Sequence, residues 1–309
     1  MDITMKTIIG ILISFILVAP VTFGAEPAAS GEAGVFFSGK FAGVASTADG
    51  SVYLLARDHR VIKITPDGQQ QIIKLPAIAD AKEDDYLCDI AAADKSLAFC
   101  GYPFSGIFVL DLSKPDKFDF IPLTIDGQPL NVMMIARKGD GWCVKDADER
   151  VLHVAADRSI SHLPKYSELE SDKYGKAVII PPPADHGDKI VYPGNALRED
   201  GTPMWIAPAA AAPREIMSLE YLGYDAAQRD IFMVTTASGE LDAETTLYAV
   251  QHSKIVASRK IPGSDAEGVM RYCRLSPDGS ILLIQADPNG QEGIYLKRLK
   301  LETTSPGAG

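Results

Sequence analysis

Six polar side chains stand at or close to the start of apolar, strand-like runs of the sequence, and a seventh lies in a tight turn. The six are Asp85, Asp89, Asn131, Glu220, Glu267 and Arg271, and the turn residue is His59. Carboxylate and amide oxygens are the ligands that a hard divalent cation such as Ca²⁺ takes, so their convergence would create a cation site. A carboxylate beside His59 would orient its imidazole as a general base. The alternative is that these groups are solvated loop charges without a ligand.

The sequence contains none of the motifs that identify a reaction. A serine of the G-x-S-x-G type, a G-x-G-x-x-G phosphate loop and an H-E-x-x-H metal pair are all absent. We therefore predict a non-enzymatic protein that binds or scaffolds a protein, a peptide or a glycan, with no cofactor. One alternative is a metal-dependent hydrolase or lyase, for which at least three acidic or amide side chains would have to converge. Another is a structural part of a larger envelope assembly, which a large exposed apolar patch on one face would support.

A polar tight turn between two apolar runs recurs roughly every 45 residues along the chain. Its copies are Asp49-Gly50, Asp94-Lys95, Gly139-Asp140-Gly141, Gly187-Asp188, Arg229-Asp230 and Asp278-Gly279. A repeat of this length that carries about four strands is typical of the blades of a β-propeller. The sequence thus predicts an all-β, six-bladed propeller, in which ligands would meet the seven residues above at the mouth of the central channel.

The last of the six units is one strand short, since it holds only Met270–Leu275, Ser280–Ala286 and Gly293–Leu301. A spare strand-like segment, Val35–Ser38, precedes the first unit. An unpaired sheet edge is an aggregation hazard, so we predict that this segment closes the last blade as its fourth strand. The alternative is that it is only a tether.

Two turns resemble the turn signature of six-bladed propellers of the NHL, TolB-like and gluconolactonase-like groups. They are Thr65-Pro66-Asp67-Gly68 and Ser276-Pro277-Asp278-Gly279. The resemblance implies architecture, because these are turn motifs and the fold hosts both binders and enzymes. A lactonase-like enzyme would hold a divalent metal in the channel with a glutamate, asparagines and an aspartate, and that set does not map onto this chain residue by residue.

The N-terminal residues 1–25 have the layout of a secretory signal peptide, with Lys6 before an apolar run from Ile8 to Val18. The run is shorter than the ~20 residues of a membrane span; an uncleaved anchor is the alternative. We expect a periplasmic or secreted protein without a transmembrane segment in its mature chain. Its propeller would cover residues 34–302, and residues 303–309 would form a disordered tail.

The formal net charge of −11 argues against nucleic acid as a partner, because an acidic surface repels phosphates. Hydrophobic residues make up 46% of the chain, enough for a real core. Cys88 and Cys100 fall on two neighbouring strands of one predicted hairpin, and export would permit a disulfide between them. The alternative is a pair of buried free thiols that pack as small apolar groups.

Overall fold

The computed structural model describes residues 34–82, 85–148, 150–162, 195–197, 203–206, 214–239, 242–263, 266 and 269–302. The predicted signal peptide (1–25), the predicted tail (303–309) and Glu267 lie outside these residues. No helix in the described ranges is long and apolar enough to cross a membrane.

The described residues form strands that assemble into five antiparallel four-stranded sheets, here called blades I to V. Strand β1 (Val35–Ser38) comes first in the chain. Blade I contains β2 (Phe41–Ser46), β3 (Val52–Ala56), β4 (Arg60–Ile64) and β5 (Gln70–Lys74). Blade II contains β6 (Tyr86–Ala93), β7 (Ser96–Tyr102), β8 (Gly106–Asp111) and β9 (Asp119–Pro122). A small hairpin of β10 (Thr124–Ile125) and β11 (Gln128–Pro129) follows. Blade III contains β12 (Val132–Lys138), β13 (Gly141–Asp146), β14 (Val151–Val154) and β15 (Ile160–His162).

The second half of the chain continues with two-stranded and four-stranded sheets. Strands β16 (Asn195–Leu197) and β17 (Pro203–Ile206) pair with each other. Blade IV contains β18 (Glu215–Tyr224), β19 (Asp230–Ala237), β20 (Glu244–Gln251) and β21 (Lys254–Ile261). Blade V contains β22 (Cys273–Leu275), β23 (Ile281–Ala286) and β24 (Gly293–Leu299), with β1 as its fourth strand.

The recurring polar turns that the structure describes join the first two strands of a blade, and their side chains explain why; the predicted turn Gly187-Asp188 lies outside the described residues. Asp49 accepts a hydrogen bond from the Ser51 N–H at 2.9 Å, and Asp278 accepts one from the Ser280 N–H at 3.0 Å. An aspartate that bonds to the backbone two residues ahead stabilises a tight turn. Gly50 has a φ of +84°, a conformation that a residue with a Cβ rarely adopts.

Adjacent blades pack face to face through apolar side chains, and the shared clusters give their order. Leu55 of blade I packs in one cluster with Phe99 of blade II. Further clusters join blades II and III (Ile107 with Val144), IV and V (Leu247 with Leu283), and V and I (Ile284 with Val44). The described blades therefore follow one another in the order IV, V, I, II, III, which confirms the all-β propeller arrangement.

The number of blades differs from the prediction within the described residues, where five four-stranded blades are found. The predicted fourth unit lies largely outside these residues and contributes β16 and β17. Strand β18 then runs from Glu215 to Tyr224 as one strand, and no turn-forming residue separates Leu219 from Tyr221.

The N-terminal segment Val35–Ser38 pairs with the strand that was predicted to receive it. Strand β1 is antiparallel to β24, with Val35 opposite Leu296 and Ser38 opposite Gly293. Phe37 points into the core, and its ring centroid lies 6.4 Å from that of Phe41 in blade I. The two ends of the propeller sequence are thereby joined in one sheet.

Candidate functional site

The functional candidates lie at one end of the channel, here called the mouth face. It is the face at which the innermost strands β2, β6, β12, β18 and β22 begin, and at which the second strand of each blade turns into the third. Antiparallel order places these features on the same side of the ring. Asp85 and Asn131 precede innermost strands, and His59 lies in a second-to-third-strand turn, so these three predicted positions belong to this face.

Three buried charged side chains meet at the channel axis, and we call them the axial network: Asp89, Arg271 and Arg274. The Arg271 Nη2 atom lies 2.6 Å from Asp89 Oδ2, and the Arg274 Nη1 atom lies 3.1 Å from Asp89 Oδ1. All three are at least nine-tenths buried, with Asp89 only 1% exposed. The arginines come from blade V and the aspartate from blade II, so the network connects blades that do not adjoin each other.

The axial network also satisfies the backbone of two innermost strands. Asp89 accepts hydrogen bonds from the N–H groups of Ile90 and Ile135, each at 2.9 Å. Arg274 donates to the Ile90 carbonyl at 3.3 Å, and Arg271 donates to the Ile135 carbonyl. The inner edge of an innermost strand has no neighbouring strand, so its buried polar groups need side-chain partners. The network therefore has a clear structural role.

Gly43 of blade I has no side chain, and this leaves room for the axial network. A Cβ placed on Gly43 would lie 3.2 Å from Asp89 Oδ1 and 3.4 Å from Ile90 Cγ2. Such contacts are tight for a side-chain carbon, so glycine here allows blade I to approach the axis closely.

Glu220 and Lys145 add two more charges near Arg271. Glu220 lies on β18 of blade IV and is partly exposed, whereas Lys145 lies at the end of β13 and is buried. Burial raises the pKa of the Glu220 carboxyl, and the positive charges of Arg271 and Lys145 offset part of that effect. The carboxyl of Glu220 is thus easier to protonate than that of an exposed glutamate.

A tyrosine next to Arg271 continues this polar group towards blade IV. Burial raises the pKa of Tyr272 to about 12, and a hydrogen bond with Thr245 acts in the opposite direction. Thr245 is itself hydrogen-bonded to Thr235, with 3.1 Å between their hydroxyl oxygens. The hydroxyls are therefore neutral hydrogen-bonding groups at neutral pH.

The structure brings together three of the seven predicted site residues, namely Asp89, Glu220 and Arg271. The other described members stand apart at the mouth face. Asp85 accepts a hydrogen bond from the Lys82 N–H at 2.8 Å and so stabilises its own turn. His59 has a φ of +60° in the turn between β3 and β4, and its carbonyl accepts a hydrogen bond from the Leu75 N–H at the end of β5.

Asn131 differs from these turn residues in one respect. Its backbone carbonyl receives the Ala147 N–H at 2.9 Å, which fixes the start of β12. Its side-chain Oδ1 atom is buried and has no hydrogen-bond partner among the described residues. Buried acceptors are rarely left unsatisfied, so this oxygen is a point at which a ligand or a water molecule would be stabilising.

Arg274 and Lys145 were not predicted as site residues, although the sequence contains a signal for both. Arg274 is the single charged residue of β22, Cys273-Arg274-Leu275, and Lys145 follows the apolar run Trp142-Cys143-Val144 in β13. A charged residue in a buried strand needs a partner, and Asp89 in β6 shares this pattern.

The cysteines are all free and buried, so the predicted Cys88–Cys100 bridge is not formed in the structure. Cys88 is the extra residue of a β-bulge between Leu87 and Asp89, and its thiol donates to the Met133 carbonyl at 3.1 Å. Burial raises the pKa of the Cys100 thiol well above its ordinary value, and a hydrogen bond with Cys88 acts in the same direction. This matches the alternative of packed, unreactive thiols.

No cluster of three or more His, Cys, Asp or Glu side chains within the described ranges is arranged to hold a metal ion. Glu267, one of the predicted cation ligands, is outside those ranges.

Three exposed apolar side chains distinguish the mouth face. Tyr102 is 49% exposed as the last residue of β7, Met217 is 61% exposed near the start of β18, and Met270 is 41% exposed just before β22. The other large apolar residues with comparable exposure lie on outermost strands, apart from Tyr224 at the far end of β18. In the described residues, apolar exposure near the axis is therefore concentrated at the mouth.

Comparison with known proteins gives a fold and no closer relative. No protein-family model and no curated protein matches the chain. A chain of the mitotic checkpoint complex is similar at a TM-score of 0.51 and 11% identity, covering 95% of this chain and 100% of that one. A streptogramin B lyase matches at a TM-score of 0.48 and 12% identity, covering 88% of this chain and 97% of the lyase chain. The Cps50 (Swd1) β-propeller domain of Myceliophteria thermophila matches at a TM-score of 0.48 and 8% identity, covering 89% of this chain and 98% of that one. The chain is thus a β-propeller, and its resemblance to the propeller groups holds at the level of fold alone.

Proposed function

We propose that the protein is an exported, six-bladed propeller that binds a protein or peptide partner on its mouth face and catalyses no reaction. The observation that carries this proposal is the set of exposed apolar side chains Tyr102, Met217 and Met270 at that face. Tyrosine and methionine are enriched at protein interfaces, where their polarisable or amphipathic side chains supply contact area. A glycan is the less favoured ligand, because two of the three side chains are flexible thioethers.

The axial network is explained by the fold and does not require a catalytic role. Asp89 accepts four hydrogen bonds and both arginines donate to it, so these groups are engaged in holding the innermost strands. The hydrolase or lyase alternative requires converging metal ligands, and no such cluster supports it within the described ranges.

The sixth blade is supported by chain length. About 50 residues separate the end of β15 from the start of β18, which is the length of one propeller blade. Strands β16 and β17 fall in this interval. Export is supported by the N-terminal apolar run from Ile8 to Val18 that follows Lys6, and a periplasmic or secreted location follows from it.

A selection experiment tests the proposed function. The protein from residue 26 onward is used to select binders from a displayed library of random peptides, and a glycan array is probed in parallel. We expect selected peptides whose binding is lost in the double variant Met217→Glu/Met270→Glu. The matched control is Ile72→Glu, because Ile72 is 60% exposed but lies on the outermost strand β5. Peptide binding that survives the double variant, or binding to glycans alone, would contradict the proposal.

A further inference from the structure

The outermost strand of blade I, β5, has a free edge, since among the described strands it pairs with β4 alone. At one end of this pairing the Thr65 N–H donates to the Gln69 carbonyl at 2.9 Å, and at the other the Leu75 N–H donates to the His59 carbonyl at 3.0 Å. Successive residues of an antiparallel strand direct their backbone groups alternately towards and away from a given neighbour. The residues of β5 whose N–H and C=O groups point away from β4 are therefore Gln70, Ile72 and Lys74.

The other outermost strands have features that discourage the addition of a further strand. Strand β9 ends in Pro122, which has no N–H to offer at the free edge, because the next residue, Leu123, is the one that donates into the sheet. Strand β21 has a bulge and three cations, Lys254, Arg259 and Lys260. Strands β1 and β15 are only four and three residues long. Natural proteins protect sheet edges in these ways, whereas β5 has no proline and no bulge, and its single charge is on its last residue.

An apolar side chain marks the middle of this free edge. Ile72 is 60% exposed, more than any apolar residue on the other described outermost strands. It lies opposite Ile62 of β4, which packs against the apolar cluster between blades V and I. A strand added beside β5 would place a side chain directly opposite Ile72 and so extend this apolar surface.

A second copy of β5 fits the edge in an antiparallel register. When Ile72 lies opposite Ile72 of the second copy, Gln70 lies opposite Lys74 of that copy, so each outward-pointing residue meets another one. Such pairs exchange two backbone hydrogen bonds each. The same register brings the basic end of β5, at Lys74, to the end of the other strand that follows the exposed acid Asp67. A parallel arrangement would instead bring the two lysines together, so charge complementarity favours the antiparallel copy.

We propose that the protein forms a dimer in which β5 of each copy pairs antiparallel with β5 of the other, so that two copies of blade I form one continuous sheet. The dimer has a two-fold axis at Ile72. The partner on this edge is therefore a second copy of the chain, and the mouth face is left free for the partner proposed above. The contact is only three residue pairs long, so the association should be weak and should depend on protein concentration.

Sedimentation equilibrium of the protein from residue 26 onward, at micromolar to millimolar concentrations, tests the dimer. We expect the mass to rise with concentration towards twice that of one chain. Ile72→Pro should weaken the association by about tenfold or more, because it removes an N–H that β4 does not use. The matched control is Ile72→Thr, which keeps the N–H and a high strand propensity and should lose less affinity than the proline variant. A monomer at every concentration, or a dimer that Ile72→Pro leaves unchanged, would overturn the inference.

Cross-linking decides the matter if Ile72→Pro fails to fold. Ile72→Cys places two thiols opposite each other at the two-fold axis, and a short bis-maleimide should join the two chains. The native cysteines are buried and should not react. The control is Ile255→Cys, because Ile255 is 41% exposed on the outermost strand β21, and this variant should give little cross-linked dimer. Equal cross-linking of the two variants would overturn the proposed pairing.

Discussion

The axial network predicts a large loss of stability when its carboxylate is removed. In Asp89→Ala, the guanidinium groups of Arg271 and Arg274 lose the anion that lies 2.6 and 3.1 Å away. The N–H groups of Ile90 and Ile135 lose their acceptor at the same time. The change therefore leaves two buried cations and two buried backbone donors without the group that joined them.

The magnitude follows from what is left unpaired. Removing one partner of a buried ion pair costs about 3–5 kcal/mol. Each buried N–H without an acceptor adds about 1–3 kcal/mol, less whatever the surroundings recover by relaxing. A loss of at least about 4 kcal/mol is a large part of the roughly 5–15 kcal/mol by which domains are stable. For a domain of this size the melting temperature should fall by roughly 10 °C.

The assay is urea unfolding followed by circular dichroism, with thermal melting alongside. The matched control is Asp58→Ala, because Asp58 also pairs with an arginine, Arg60, at 2.7 Å but is exposed. An exposed pair contributes about 0–1 kcal/mol, so this variant should melt close to the unaltered protein. Replacement of all three axial residues by apolar ones (Asp89→Leu with Arg271→Met and Arg274→Met) should recover part of the stability. If Asp89→Ala and Asp58→Ala lose similar amounts, the network does not have the structural role assigned to it.

Three further changes test closure, packing at the axis and the buried acid. Phe37→Ala should lower the free energy of unfolding in urea by about 3–5 kcal/mol, because it empties a core position of β1. The control is Val35→Ala, since Val35 is 51% exposed on the same strand, and this variant should stay within about 0.5 kcal/mol of the unaltered protein. Equal losses would contradict a role for β1 in the core. Gly43→Ala should lower the free energy of unfolding by about 1–3 kcal/mol, since its new carbon would lie 3.2 Å from a carboxylate oxygen of the axial network. The control is Gly239→Ala, because a Cβ at this position would have no atom within 4 Å, and its stability should change little. Glu220→Gln should raise the melting temperature at neutral pH, because a carboxyl whose pKa is raised on folding destabilises the folded state above its unfolded pKa. That gain should shrink as the pH falls towards the ordinary glutamate pKa of about 4.3, and a gain independent of pH would refute the cause given.

Local turn chemistry made much of the fold predictable. Asp49 and Asp278 bond to the backbone two residues ahead, so the residues that mark each repeat are the same residues that close its first hairpin. Such signals are independent of the rest of the chain and can be recognised in sequence. Strand β18 shows the limit, because its pairing with β19 extends from Glu215 to Tyr224 across two register shifts. The length of the strand thus depends on its partner strand, which the local sequence does not reveal.

The candidate site was less predictable, because the residues that meet in it are far apart in the sequence. Asp89 and Arg271 were both assigned to the mouth from their positions in the repeat, but nothing local shows that they are partners. Arg274 and Asp89 are 185 residues apart in sequence, and their contact exists only because the ring returns blade V to the axis. A repeat pattern gives the height of a residue in the channel. It does not give the direction in which a long side chain crosses that channel.

The charged side chains at the axis are explained by the inner edges of β6 and β12, whose backbone groups need hydrogen-bond partners there. Apolar side chains could fill the space at the axis, but they could form no hydrogen bonds with the backbone of Ile90 and Ile135. Asp89 accepts from the two N–H groups, and the two arginines donate to the two carbonyls. A carboxylate retained for the fold should therefore be fully hydrogen-bonded, as Asp89 is. Glu220 differs from Asp89, because burial raises the pKa of its carboxyl and the positive charges of Arg271 and Lys145 offset only part of that effect. The Glu220→Gln and Asp89→Ala variants should therefore change stability in opposite directions, which separates a carboxylate that the fold needs from one that it only tolerates.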